Sequence, residues 1–291
     1  MTGRRAKQQS GGAPFPSDRV EPKTLAEVPS VWDRQGEIRE RLARKTPVLF
    51  LDYDGTLTPI VEDHTRAELG EDMRAAIAAL ARQVAVGIVS GRDLEDLRNR
   101  VGLDSVFLAG SHGFDIAGPK GWRETLQQGR EFLPDLDQAE SSLHEHLDAI
   151  DGAAIERKRF SIAVHYRRVR PKDEARVEQS VDRVLERLPQ LHKGYGKKVF
   201  RIQPDIAWDK GHAVRWLLER LQLDRPDVLP VYLGDDVTDE DAFRALQGRG
   251  LAIVVRDDDG RATAADYALE GPDDVKRFLE WLIELGREKP E

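Results

Sequence analysis

The stretch "PVLFLDYDGTLTPI" (Pro47–Ile60) decides the fold. Val48, Leu49, Phe50 and Leu51 run directly into Asp52 and Asp54, with Gly55 and Thr56 behind them. A short unbroken apolar run is the mark of a strand covered on both faces, as in a parallel sheet. Carboxylates are costly to bury unless they are paired or metal-bound. Parallel sheets gather their ligands at the carboxyl ends of the strands. Two aspartates two residues apart, at the end of such a strand and beside a glycine turn, therefore stand where a site is expected.

The same rhythm extends outward. "VAVGIVS" (84–90), "VFLAGSHG" (106–113), "VLPVYLGDD" (228–236) and "LAIVV" (251–255) read as further strands. Helical patterns lie at 31–45, 71–82, 91–102, 210–221, 239–246 and 272–286. Alternating strands and helices predict an α/β fold with a Rossmann-like parallel sheet. Residues 116–205 break the rhythm with helices at 132–150 and 172–188, alternating strands within 153–169, and a strand at 197–204. This pattern predicts an inserted α+β cap, leaving 30–115 and 206–291 as the catalytic core. Residues 1–29, rich in Gly, Ser, Pro, Gln and Lys, read as a disordered tail.

Composition narrows the function. The 291 residues carry 53 acidic and 45 basic side chains, a net charge of -8, which disfavours a nucleic-acid partner. There is no cysteine, so disulfides and thiolate metal sites are excluded. No apolar run nears the ~20 residues of a membrane span, and no apolar core follows Arg4, Arg5 and Lys7 as in a signal peptide. Neither a P-loop nor a G-x-G-x-x-G fingerprint occurs. The default expectation is a cytoplasmic monomer acting on a small molecule, without membrane contact.

Four strands end in polar groups: "LFLDYDGT", "GIVSGR", "AGSHG" and "YLGDDVTDED". Seven carboxylates from Asp52 to Asp241 fall in only two of these segments and would repel one another without a cation. Hard oxygen ligands suit Mg2+, which binds through one or two carboxylates together with substrate phosphate. Asp235 and Asp239 are the distal ligand candidates, and Asp236 could replace either or hold a metal-bound water. An EF-hand reading of Asp52, Asp54 and Asp63 fails, because Leu57 stands where the loop needs Gly and no Glu closes it. Ser90 with Gly91 and Arg92 offers a hydroxyl and N–H groups at a helix start, which suits phosphate. Lys210 follows Asp209, a residue type that caps helix N-termini, and lies off the apolar stripe of Ala213, Val214, Leu217, Leu218 and Leu221. From position alone it reads as an ordinary surface lysine. His112 and Gly113 lie on the candidate rim, and His165 falls on a strand of the inserted segment.

Together the four segments resemble the trehalose-6-phosphate phosphatase family of the haloacid dehalogenase-like (HAD) superfamily. "LDYDGTL", "SGR", "DKG" and "GDDVTDEDAF" are similar to its successive motifs, and "GSHG" and "HYR" to further signatures, over about residues 46–283. The resemblance implies Asp52 as nucleophile and Asp54 as general acid–base. It implies Mg2+ held by Asp52, the Asp54 carbonyl, Asp235 and Asp239, and phosphate held by Ser90 and Lys210 with help from Thr56. Glu156, Lys158, His165, Arg167 and Lys197 on the cap become candidates for sugar hydroxyl contacts. One departure stands out: in "GKKVFRIQP" the family more often has glutamate where Arg201 stands. Another glycosyl phosphate, such as sucrose 6-phosphate or a glycosyl-glycerate phosphate, is therefore the alternative to trehalose 6-phosphate. A non-catalytic sugar-phosphate sensor is less favoured, because every catalytic position is filled.

Overall fold

The computed structural model describes residues 23–61, 66–125, 127–196, 198–256 and 260–288. In chain order the strands are β1 (Lys23–Thr24), β2 (Thr46–Leu51), β3 (Val86–Val89), β4 (Phe107–Gly110), β5 (Asp115–Ala117), β6 (Arg123–Thr125), β7 (Ala154–Lys158), β8 (Ser161–His165), β9 (Leu191–Gly196), β10 (Val199–Pro204), β11 (Val228–Gly234), β12 (Leu251–Val255), β13 (Ala262–Thr263) and β14 (Tyr267–Leu269). The helices are α1 (Gln35–Ala43), α2 (Glu71–Leu80), α3 (Leu94–Val101), α4 (Gln127–Arg130), α5 (Leu133–Leu147), α6 (Pro171–Leu185), α7 (Lys210–Arg220), α8 (Glu240–Leu246) and α9 (Pro272–Glu288).

The main sheet runs β14-β12-β11-β2-β3-β4-β5-β6. Its first six strands are parallel, and β5 and β6 extend it antiparallel. Strand β2 is central and apolar on both faces because both faces are covered. Leu49 and Leu51 join a cluster with Ile38 of α1, Ile77 of α2, Leu97 of α3 and Phe278 of α9. Val48 and Phe50 join the opposite cluster with Val214 and Leu217 of α7 and Phe243 of α8. Because strand side chains alternate, Asp52 shares the α7/α8 side with Val48 and Phe50. Its main-chain N–H donates to Leu233 O at 2.9 Å, so the ladder still holds the backbone where the carboxylate emerges.

The inserted unit has its own four-stranded antiparallel sheet, ordered β7-β8-β10-β9. Ile162, Val164, Phe200 and Ile202 bury against Leu136 and Leu143 of α5 and Val177 and Val181 of α6. The alternate residues Glu156, Lys158, His165, Arg201 and Gln203 take the other face. The unit seats on the core through the β7–β8 turn. Phe160 stacks on Phe114 with centroids 5.3 Å apart, and Arg159 N–H donates to Asp93 Oδ1 at 3.0 Å.

Four expectations shift. The tail read to residue 29 ends sooner: β1 pairs with β13, and Leu25 and Val28 are buried. Residues 1–22 lie outside the described residues. The inserted unit starts later than 116, because β5 and β6 add to the core sheet; runs of three residues are too short to show a period. Helix α3 begins at Leu94 after Asp93, so Ser90, Gly91 and Arg92 form a loop rather than a first helical turn. Strand β9, "LHKGYG", has no apolar alternation and was not expected as a strand.

Phe160 is 1% exposed at the junction of the two units. Phe160→Ala is expected to lower stability to urea by about 3–5 kcal/mol, the usual cost of deleting a buried aromatic ring; a loss near zero would contradict this seating.

Candidate active site

The carboxyl ends of β2, β11 and β3 and the start of α7 converge. Asp52 is 4% exposed, Asp235 6% and Asp239 0%. One carboxylate oxygen of each lies within 4.8 Å of the others. Gly55 makes this approach possible. Its φ of +87° is left-handed, and a Cβ there would lie 2.1 Å from Asp235 Oδ2.

Lys210 is the cation of this cluster. It is 3% exposed, not a surface lysine. Its Nζ donates to Asp52 Oδ1 at 2.7 Å and to Asp239 Oδ1 at 2.8 Å. Although burial opposes its charge, Asp239 and Asp52 hold its pKa above the ordinary value. The expected Asp209 cap is present, accepting from His212 N–H at 2.8 Å. Asp239 is saturated by protein donors: Oδ1 also accepts from Tyr232 Oη at 2.6 Å, and Oδ2 accepts from Asp235 N–H at 3.2 Å and Asp236 N–H at 3.0 Å.

One ammonium does not balance three carboxylates. Burial raises the Asp52 pKa most; Lys210 opposes it, and Asp239 and Asp235 add to the rise. Burial first, then the Asp239 charge, push Asp235 up to about 7. A buried oxygen-only donor set with excess negative charge fits a small divalent cation. Asp52 and Asp235 have oxygen valence to spare for it; Asp239 has its lone pairs engaged.

Asp54 turns to the other side of the rim and is 43% exposed. Arg92 grips it as a fork, Nε donating to Oδ2 at 2.7 Å and Nη2 to Oδ1 at 2.5 Å. Arg92 Nη1 also donates to Asp96 at 2.9 Å, and its guanidinium lies over the buried Tyr53 ring. Ser90 is 1% exposed; its Oγ accepts from Arg92 N–H at 3.1 Å, which leaves its own proton to donate. Thr56 Oγ1 donates to Asp235 Oδ1 at 3.3 Å. His112 packs against Gly91, where a Cβ would lie 2.8 Å from the ring. Gly113, at φ +93°, lies against Ala213 of α7. Burial and then the charges of Lys210, Arg201 and Lys158 hold the His112 pKa well below its ordinary value.

The inserted unit brings a second set to the same cleft. Glu156 Oε2 pairs with His165 Nε2 at 2.8 Å, and Lys158 lies 3.7 Å from Glu156. Arg201 Nη2 reaches Asp236 Oδ2 of the core at 3.5 Å. Arg167 is exposed beyond the end of β8. Lys197 lies outside the described residues. Sequence reasoning missed Tyr232 and Arg261, which donates to the Asp235 carbonyl at 2.7 Å. Tyr232 had a signal, a phenol inside an apolar strand, since a buried tyrosine hydroxyl usually has a partner.

The family model for trehalose-phosphatase matches residues 50–273. The chain belongs to the trehalose-phosphatase family. The probable trehalose-phosphate phosphatase D of Arabidopsis thaliana is 42% identical over 271 residues, covering 89% of this chain and 73% of the relative. The structure of Aspergillus fumigatus trehalose-6-phosphate phosphatase, 27% identical, aligns over 88% of this chain and 99% of its own with a TM-score of 0.66. A haloacid dehalogenase-like hydrolase from Bacteroides thetaiotaomicron, 18% identical, shares the fold with a TM-score of 0.59 over 82% of this chain and 100% of its own. Members of this family are phosphoric monoester hydrolases, and this chain is one of them. Among the described residues no helix is long and apolar enough to cross a membrane.

The cluster makes stability depend on pH and metal together. A carboxyl whose folded pKa is raised binds its proton more tightly folded than unfolded, so stability falls as pH rises from the ordinary 3.8 toward about 7. A divalent cation bound there would replace that proton. In EDTA the Tm is expected to fall between about pH 5 and pH 7.5, and Mg2+ to raise it far more at the higher pH. An equal Mg2+ shift at both pH values would contradict this charge balance.

Proposed function

We propose that this protein is a Mg2+-dependent phosphatase that hydrolyses trehalose 6-phosphate to trehalose and phosphate through a phosphoryl group carried on Asp52, acting as a cytoplasmic monomer. The observation that carries the reading is Asp52 at the end of the central strand, its Oδ1 held by the buried Lys210 at 2.7 Å beside Asp235.

In this reading Asp52 attacks phosphorus and the bond to the sugar oxygen breaks. Asp54 gives its proton to that oxygen. Asp54 then takes a proton from water, which attacks the same phosphorus and breaks the bond to Asp52. Splitting one hard displacement into two is the gain from the covalent intermediate. Asp54 has to leave the Arg92 fork to act, since forks of this kind pair with carboxylates. Mg2+, held by Asp52, Asp235 and the Asp54 carbonyl, would neutralise charge on the phosphoryl oxygens. Lys210 and the Ser90 hydroxyl would orient the group and screen it from Asp52, which is where phosphoryl transfer obtains most of its acceleration. Asp239 is assigned to holding Lys210 rather than the cation, because its oxygens already accept four protein donors. Thr56, Gly91, Arg92, His112 and Gly113 would line the phosphate and the proximal sugar. The inserted unit would act as the cap, with Glu156, Lys158, His165 and Arg167 toward sugar hydroxyls.

A second reading has one observation in its favour. Arg201 sits on the cleft face of the cap, opposite Gly194 in the β9–β10 register, and a Cβ on Gly196 would lie 3.6 Å from its Nη2. A cation beside two glycines leaves room for an anionic group on the second unit of the substrate, as in a glycosyl-glycerate phosphate.

Purified protein is expected to release phosphate from trehalose 6-phosphate far faster than from glucose 6-phosphate, and EDTA to stop it. Equal rates would overturn the disaccharide reading, and a preference for a carboxylate-bearing ester would favour the second. Asp52→Asn is expected to lower turnover by at least about three orders of magnitude with the fold retained. Undiminished turnover would overturn the nucleophile.

A further inference from the structure

Residues 260–265 pass beside the loop that carries Asp235, and nothing in their sequence singles them out. Arg261 is the centre of this passage. Its Nη2 donates to the main-chain carbonyl of Asp235 at 2.7 Å, and its Nη1 donates to Glu240 Oε1. The two side chains are 12% and 5% exposed. Glu240 Oε2 accepts from Ala264 N–H at 2.8 Å, so the carboxylate ties the passage at a second point. The Arg261 carbonyl accepts from Leu25 N–H at 3.1 Å, and Thr24 pairs with Ala262 in the β1–β13 ladder. The guanidinium is thus fixed both by its head and by its own backbone.

A fold staple would need only the arm to Glu240. The second arm has a distinct target. Strand β11 ends at Gly234, so the Asp235 carbonyl lies beyond the strand. The Asp235 amide is taken by Asp239 Oδ2 at 3.2 Å. With Arg261 on the carbonyl, Asp235 is held through both main-chain groups, and neither bond uses the carboxylate that faces Asp52. The forked reach also leaves Arg261 Nε–H buried with no partner among the described residues. A buried unpaired donor is unfavourable, and a simple surface staple would avoid it.

We propose that Arg261, paired with Glu240, is a positioning residue for Asp235: it fixes the main chain so that the carboxylate is preset for the divalent cation. The proposal rests on the reading that Asp235 holds that cation. Hydrogen-bond partners that hold metal-ligating residues in place typically govern affinity by 10–100-fold.

Arg261→Met alone would leave Glu240 as a lone buried charge. Removing one partner of a buried pair is strongly destabilising, whereas removing both is often near neutral. The test is therefore the double variant Glu240→Gln/Arg261→Met in the full chain. Mn2+ is the probe, its binding to substrate-free protein read from the free-ion paramagnetic resonance signal, beside the Tm in EDTA and the KM at saturating Mg2+. The Mn2+ Kd is expected to rise about 10–100-fold, with the Tm in EDTA and the KM close to wild type. Arg261→Lys, which keeps a donor cation between the two acceptors, is expected to recover most of that loss. A Kd within about twofold of wild type, or a double variant that no longer folds, would overturn the proposal and leave the pair a fold staple. Wild-type protein that binds no Mn2+ would instead defeat the reading of Asp235 itself.

Discussion

One buried ammonium organises the site: Lys210 Nζ, 2.7 Å from Asp52 and 2.8 Å from Asp239. The first turn of a helix is a poor place for a cation, since the helix dipole opposes it. Here the two carboxylates outweigh the dipole and the burial together. The constraint reaches outward. Helix α7 has to start at the rim, which Asp209 secures as its cap. It also has to lie close to α8, and Gly211 permits this, because a Cβ there would meet Asp241 O at 2.3 Å. Asp239 in turn ties the ammonium to the amides of Asp235 and Asp236 and to Tyr232. Strand β2, strand β11 and helix α7 are thus joined through one charge.

The remaining negative charge underlies the proposed function. Lys210 covers part of it, and the raised pKa of Asp235 marks what is left. A cation fits that remainder, and a phosphate ester then meets a site that is no longer repulsive. The two aspartates of one motif are separated by their surroundings. Asp52 is buried against an ammonium, while Asp54 is 43% exposed and forked by Arg92. Same chemistry and different environment suit attack in one case and proton transfer in the other. Above them the inserted unit brings Glu156, Lys158, His165 and Arg201, and the Arg201–Asp236 contact at 3.5 Å joins it to the loop after β11.

Much of this was legible in the sequence. Apolar runs ending in polar residues marked the rim, because a doubly covered strand has no other way to expose a side chain. Two features were not legible. Lys210 read as a surface residue, since a helix stripe reports which face packs but not that the first turn is sealed by carboxylates from β2 and the loop after β11. Arg261 carried no signal, because its partner is a main-chain carbonyl and its neighbour Glu240 looks like any acidic residue in a first turn. Boundaries failed where elements were short: β5 and β6 have three residues each, and β1 only two. Their place is set by pairing with distant strands, not by local pattern.

The central claim is that Asp52 carries the phosphoryl group. Protein turning over its sugar phosphate can be quenched in acid, digested with trypsin and examined by mass spectrometry for the peptide spanning 46–66, which contains both aspartates. The account expects a phosphoryl adduct on this peptide, fragmentation placing it on Asp52, and its disappearance in Asp52→Asn. An adduct on Asp54, or one that survives in Asp52→Asn, would contradict it.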